Sequence, residues 1–594
     1  MLSGVIYIAE PDARRLGLKS RFNGRLLQER VELPLLRSWL ANCEKEHGAT
    51  CVGNSNVAQR LPEGLRVIDV EEGRLTLAPP GCRYFSLSYV WGKAHVLQTT
   101  KANRVSLERE GALFSHPEIP QVVQNAMKLV AGMKERYLWV DALCIVQDSA
   151  EEKHNQIARM DAIYNSACAT VVAVAGKDAN EALPGLGDEP RKELQAVETV
   201  DTIRLLAYPM KLSQILLESV WNTRAWTYQE RMLSLRRIYF CGTEVFFECQ
   251  KELLRESYEG PFDDNDLGDP SKDLNLISAS ETLSSYFLPD RRQTFYQFAN
   301  YVSKYSERSL SYPSDILNAF AGITALWQQA FGWSFSNGLP INMLGYALMW
   351  RPVTMISRRS LTSTEGNLYQ PFPSWSWAGW SGPVYYETIQ NVDVFKLEVE
   401  KFEIKERNTF LATKVTTTHE KSEADVLEFR SSSATFLVSS GKGIVFEGLE
   451  FRRNELFMRI YDEEGRHCGI TNGLNPLWMQ GQNAIPYECV LLSRARDASG
   501  GPQSQYARRC KYVQINSHHE ALEILNTPEA GMEWPPRMTA GEFDRHIFEN
   551  RVWCLVNVMI IKRDGDYAER VALGVIHEDA WNKACPESKV FRII

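Results

Sequence analysis

Residues 137–176 read YLWVDALCIVQDSAEEKHNQIARMDAIYNSACATVVAVAG, and the change of pattern inside that stretch decides the fold class. Tyr137–Val146 is a mostly apolar run, as in a strand buried on both faces. His154–Ala167 then places Ile157, Met160, Ile163, Tyr164 and Ala167 at helical spacing. Ala169–Ala175 is a second buried strand by the same reading, and Gly176 ends it. Upstream, Pro120–Arg136 carries Val122, Val123, Ala126, Leu129, Val130 and Met133 on one helical stripe. Its Pro120 sits where a first helical turn tolerates a missing N–H. Tyr84–Val90 (YFSLSYV) alternates as a strand does. Strand, helix, strand, helix, strand predicts an α/β fold, a parallel sheet with helices on both faces. Ligand-binding groups in such a sheet gather at the carboxyl ends of the strands. Here those ends are Tyr89–Gly92, Asp141–Asp148 and Gly176 onward.

Further out the pattern is looser. A helix is expected at Val220–Leu233, then strands at Arg237–Phe240 and Glu244–Glu248. Residues 1–80 read as a helical and extended lead-in, with one helix in Pro34–Gly48. Residues 81–250 are the α/β domain. Residues 251–340 are an acidic linker (EGPFDDNDLGDP) and a helical segment that includes Tyr312–Trp327. Residues 341–594 form a β-rich region. Within it, the tryptophans of Ser374–Gly382 (SWSWAGWSG) alternate as a core-packed strand would, and residues 408–440 read as a loop or insertion. Arg551–Ile576 is a hairpin turning at Asp564-Gly565.

Composition narrows the class. The 594 residues are 44% hydrophobic and 24% charged, as in an ordinary folded protein. With 66 Lys plus Arg against 74 Asp plus Glu the net charge is −8, which argues against a nucleic-acid partner. No apolar run reaches the roughly 18–20 residues of a membrane span. The start, MLSGVIYIAEPDARR, lacks the basic n-region of a secretory signal. Twelve cysteines without a C-x-x-C pair read as reduced thiols in a cytoplasmic protein.

Three clusters carry candidate chemistry: SLSYVWG (86–92), LWVDALCIVQD (138–148) and RAWTYQERMLS (224–234). In this order and spacing they resemble the HET (heterokaryon incompatibility) domain of filamentous fungi. YPSDILNAFAGI, PSWSWAGW and GDYAERVALGVI resemble, more loosely, segments that follow such domains. The resemblance implies self/non-self recognition and regulated cell death. HET domains are in turn similar to TIR domains, so the fold implied is a TIR-like parallel sheet with flanking helices. Some TIR domains cleave NAD at the nicotinamide–ribose bond with a Glu four residues after a Trp on a helix.

Trp226 and Glu230 have that spacing, and residues i and i+4 share a helix face. Glycosidic cleavage builds positive charge on the ribose, which a carboxylate at Glu230 would stabilise. The plain alternative puts Trp226 in the core and Glu230 against Arg231 or Arg224. Ser88, Tyr89, Trp91 and Gly92 border the expected crevice, where Gly92 would let backbone approach a phosphate. Asp141 would hold Arg224 or a turn, or face a ribose. Cys144 is a candidate contact but reads as a small buried hydrophobe rather than a nucleophile. Gln147 and Asp148 fall at a strand end, where Asp148 could cap the next helix.

Cys43, His47 and Cys51 are spaced by four. They read as packing, because no nearby motif supplies a fourth metal ligand, Cys82 being the one on offer. The expectation is therefore NAD or a related nucleotide as substrate, with no cofactor and no metal. Self-association on activation and a protein trigger or partner are expected too. The alternatives are a non-catalytic signalling module that recruits partners, and an unrelated α/β nucleotide hydrolase.

Overall fold

The computed structural model describes residues 6–18, 23–51, 61–93, 96–187, 190–191, 195–207, 210–258, 291–353, 356–362, 366–386, 395–399, 401–405, 425–446, 455–472, 484–495, 510–514, 543–549, 551 and 553–594. The acidic run over 259–275 and the insertion over 408–424 lie outside the described residues. Residues 1–287 with 318–330 form one compact unit, and residues 288–317 with 331–594 a second.

The first unit is built on an eight-stranded sheet. Its strands are β1 (Arg66–Asp69), β2 (Arg74–Leu77), β3 (Tyr84–Ser88), β4 (Tyr137–Trp139), β5 (Thr170–Ala173), β6 (Arg237–Phe240), β7 (Val245–Glu248) and β8 (Leu253–Arg255). They lie in the order β8-β7-β6-β5-β3-β4-β1-β2. The four central strands β6, β5, β3 and β4 are parallel, as expected from the sequence. Both edges are extended by antiparallel strands. Short turns join β1 to β2 and β6 through β7 to β8, and so short a connection serves only antiparallel neighbours. A smaller four-stranded sheet in the same unit includes Ile6–Ala9 and Ile203–Ala207.

The helices that matter here are α1 (Leu33–Glu46), α2 (Gln121–Gly132), α3 (Asp141–Cys144), α4 (Ala150–Ile157), α5 (Met160–Ser166) and α6 (Ala225–Leu233). From β3 the chain crosses by α2 to β4 on one side. It then passes through α3, α4 and α5 to β5 on the other side of β3. That reversal leaves a crevice at the carboxyl ends of β3 and β5.

Two expected elements are divided. The apolar run 137–146 is not one strand: β4 ends at Trp139, and Asp141 opens the turn α3. Leu143 and Cys144 are fully buried from that turn, and a buried helical turn leaves the same apolar pattern as a buried strand. Val220–Leu233 is likewise broken. Trp221–Thr223 is a 3-10 turn, and Arg224, with ψ 140°, starts a separate helix.

The second unit carries a ten-stranded, almost wholly antiparallel sheet. Leu555–Asp564 and Tyr567–His577 form the expected hairpin, with Gly565 at φ +62° in its turn. The segment read as a loop or insertion over 408–440 enters a long strand, Val426–Phe446. Its serines and threonines obscure a period of two: Leu427, Phe429, Ser431 and Ser433 are buried in turn, the phase slips by one, and Ala434, Phe436 and Val438 are buried after it. Tyr312–Trp327, whose residues from 318 on belong to the first unit, is two 3-10 turns and the start of a helix rather than one helix. Trp375, Trp377 and Trp380 are core residues, but Trp377–Gly379 is a 3-10 turn, not a strand. Among the described residues no helix is long and apolar enough to cross a membrane.

Candidate functional site

The carboxyl end of β3 and the helix α6 meet in a buried polar chain. Ser88, the last residue of β3, donates its hydroxyl to Glu230 Oε2 on α6. Trp221 Nε1 donates to Ser88 Oγ at 2.8 Å. Beneath this pair a hydroxyl ladder crosses the sheet. Ser86 and Thr170 hydroxyls lie 2.8 Å apart, and Thr170 and Ser234 hydroxyls 2.6 Å apart. Ser234 Oγ then donates to the Glu230 carbonyl oxygen at 2.6 Å. Alternating serines in β3 therefore do not face water; they tie β3, β5 and α6 together. Buried hydroxyls have to be paired in this way or lose the free energy of their hydration.

Glu230 is 6% exposed. Burial pushes its carboxyl up to about 7, against the opposing pull of the Ser88 hydroxyl and the Arg224 charge. The desolvation of a charged form outweighs the Ser88 hydroxyl, the Arg224 cation at a distance and the nearby Tyr164 hydroxyl together. Asp141 adds to the rise. Its own carboxyl is pushed up to about 6, again chiefly by burial. It accepts from the Ala142 N–H at 2.7 Å and from Trp91 Nε1 at 3.0 Å. The hydroxyl of buried Tyr89 sits near Asp141 outside ordinary hydrogen-bond geometry. Two acids at strand ends are thus half-protonated or close to it near neutral pH, a state suited to proton transfer or to sensing charge.

The structure brings some expected site residues to this point and leaves others out. Ser88 and Glu230 touch; Tyr89, Trp91 and Asp141 form the adjoining group; Arg224, half-buried at the start of α6, acts on both acids through its charge. Trp226 is half-buried on the same helix, and the indole bound to Ser88 is Trp221 instead. Arg231 does not pair with Glu230; its Nε donates to Tyr239 Oη at 3.2 Å. Gly92 has φ +68°, and a Cβ there would stand 2.3 Å from the Asp178 Cβ, so this turn excludes other residues. Cys144 is buried, its thiol pushed up to about 12 by burial, which makes it a poor nucleophile. Gln147 Nε2 donates to the Asp141 carbonyl at 2.9 Å, and Asp148 accepts from the Lys101 N–H at 2.8 Å rather than capping α4. Trp221, and Tyr164 with its hydroxyl near Glu230, were not among the site candidates read from the sequence. Trp221 lies in the 3-10 turn three residues before Arg224, ahead of the helix that carries Glu230.

A cavity of about 420 Å³ opens at the same ends of the sheet. Its lining includes Val174, Gly176 and Lys177 after β5, Ser219 and Val220 before Trp221, and Gly242 after β6. This is the size of a small-ligand site, at the carboxyl ends of β5 and β6 and so one strand over from the reversal point between β3 and β5. Glu230 is not in its lining; Trp221, next in the chain to Val220 and hydrogen-bonded to Ser88, links the two. Cys43, His47 and Cys51 gather around Cys249 instead, at the amino ends of the parallel strands.

Residues 84–230 match the family described as Heterokaryon incompatibility protein (HET). A Neurospora crassa protein, heterokaryon incompatibility protein 6, OR allele, is 28% identical over 209 residues, 28% of this chain and 30% of that protein. The chain therefore aligns with about 30% of that relative's length. No solved structure matches.

Proposed function

We propose, from the HET domain that residues 84–230 form, that this chain is an incompatibility and cell-death effector whose α/β unit cleaves NAD at the nicotinamide–ribose bond. The observation that carries the reading is the Glu230 carboxyl. It is buried, pushed up to about 7, and hydrogen-bonded by Ser88 at the reversal point of a doubly wound sheet. In the proposed reaction, the C–N bond to nicotinamide breaks and the departing ring keeps the electron pair. Water adds to the ribose carbon and releases a proton. Glu230, ionised, stabilises the positive charge that builds on the ribose. Nicotinamide leaves as a neutral molecule, so one carboxylate suffices. The cavity lined by Gly176 and Lys177 would take the phosphates and the planar base, and Ser88 would keep Glu230 aimed. Release of nicotinamide would then rise with pH through about 7, as Glu230 ionises.

One observation favours a second reading. Glu230 is closed off and its hydrogen bonds belong to a structural ladder. On that reading the unit is a self-associating module that recruits partners without chemistry. The two are separated by incubating purified full chain with NAD, dilute and concentrated, and quantifying nicotinamide and ADP-ribose. The enzymatic reading predicts turnover, greater per chain in the concentrated sample if self-association opens the Trp221 side. No nicotinamide at either concentration would leave the module.

A further inference from the structure

The four residues at the amino edge of the α/β sheet have the chemistry of a metal centre. Cys43 and His47 are one helical turn apart at the end of α1, where the His47 N–H still donates to the Cys43 carbonyl. Gly48, at φ +45°, turns the chain so that Cys51 comes back to them. The fourth residue is Cys249, about two hundred residues on, in the turn between β7 and β8. The sequence read the first three as packing, with Cys82 the one fourth ligand on offer; only the folded sheet brings Cys249 there. The three sulfurs and one ring nitrogen all lie within 4.8 Å of one another. A tetrahedral zinc about 2.3 Å from each sulfur needs its ligand atoms about 3.8 Å apart, so small rotations of the side chains close the site.

The surroundings fit as well. Cys249 Sγ is 3.4 Å from His47 Nδ1, while His47 Nε2 faces Glu252 Oε1 at 3.6 Å. A carboxylate behind a ligating imidazole fixes its tautomer and strengthens it as a donor. Arg236 Nε donates to Cys43 Sγ at 3.2 Å, and the Lys251 N–H to Cys249 Sγ at 3.4 Å. Both are donors to sulfur, as thiolates require. Three thiolates with a divalent ion leave one negative charge, which the buried Arg236 guanidinium offsets. All three cysteines are buried and unpaired as disulfides. Three soft sulfurs and an imidazole select zinc over calcium or magnesium, and four protein ligands leave no open position for catalysis.

We propose that Cys43, His47, Cys51 and Cys249 bind one structural Zn²⁺, which pins the end of α1 to the β7–β8 turn. This site is independent of any reaction at Glu230. The test uses the full chain, purified without chelator and with no histidine tag, and measures metal by plasma mass spectrometry. One zinc per chain is expected. After exchange, cobalt(II) should give the intense visible bands of a tetrahedral thiolate centre. Cys249→Ser should lose the stoichiometric ion, while Cys585→Ser, at an exposed cysteine, should keep it. Glu252→Gln, which leaves every ligand in place, should bind zinc about 10–100-fold more weakly. The proposal is overturned if the parent chain, equilibrated with zinc and dialysed, holds less than a tenth of an equivalent. It is also overturned if the parent forms a disulfide among Cys43, Cys51 and Cys249 in place of the metal, or if Cys249→Ser keeps a full equivalent.

Discussion

In the α/β sheet of residues 66–255 two acids near the carboxyl ends of the parallel strands, Glu230 and Asp141, have carboxyls raised by desolvation. In the C-terminal sheet the corresponding group is an imidazole: His467 is buried within a strand, and burial pushes its pKa down to about 4. Both sheets favour the neutral form by the same force, the cost of taking a charge out of water. The consequences for proton binding are opposite. Folding raises the acid's affinity for its proton and lowers the imidazole's. The two regions should therefore respond to pH in opposite directions, and only the acid sits at the reversal point of a parallel sheet, where ligands bind.

The largest test of that contrast is stability against pH. Glu230 has a folded pKa of about 7 and an ordinary value of 4.5. Between these, the folded state holds more proton than the unfolded one, so stability from this group is full below pH 4.5 and is lost as pH rises through 7. His467 goes from 6.5 to about 4; its contribution is lost as pH falls from 6.5 through 4. Each effect is about 3 kcal/mol at most. Hydrogen exchange read by mass spectrometry, which resolves the two units, should show the α/β core better protected at pH 5 than at pH 8 and the C-terminal sheet the reverse. Equal slopes in both regions would break the contrast.

A smaller effect is expected in the hydroxyl ladder. Thr170→Val keeps the shape and leaves Ser86 and Ser234 short of a partner. It should destabilise the chain by about 1–3 kcal/mol in denaturant unfolding. No change would mean that the ladder is incidental packing. The smallest effect belongs to Cys144. Cys144→Ala removes a buried sulfur whose thiol is pushed up to about 12, and should cost about 1 kcal/mol. Nicotinamide release should not change. A large loss of release with the fold intact would restore Cys144 as a candidate nucleophile.

Much of the α/β centre was legible because its signals are local. ATVVAVA is too short and too valine-rich for a helix, and the stripe Val122 to Met133 has only one period. The strand from Tyr137 was drawn on to Val146 because a buried turn and a buried strand write the same apolar run. The antiparallel edges were missed because pairing partners are not encoded in a strand's own residues. In the site, Ser88 and Glu230 could be named from sequence, but not their contact, which joins positions 142 residues apart. Trp226 was preferred because it stands four residues before Glu230, and the two do share one helix; the indole at Ser88 belongs instead to Trp221, in a 3-10 turn ahead of that helix whose approach to β3 no spacing rule shows. Cys249 escaped notice for the same reason as the edges: its partners lie at and just past the end of α1, about two hundred residues away.

The central claim is that the Glu230 carboxylate acts on a nucleotide. Its most direct test compares parent and Glu230→Gln at pH 7.5, at equal and high concentration, following nicotinamide released from NAD. Glutamine can still accept from Ser88 and never needs to ionise, so the variant should fold at least as stably as the parent. The account predicts at least about 100-fold slower release from a protein with an unchanged or higher melting temperature. Release at the parent rate from the folded variant would contradict it.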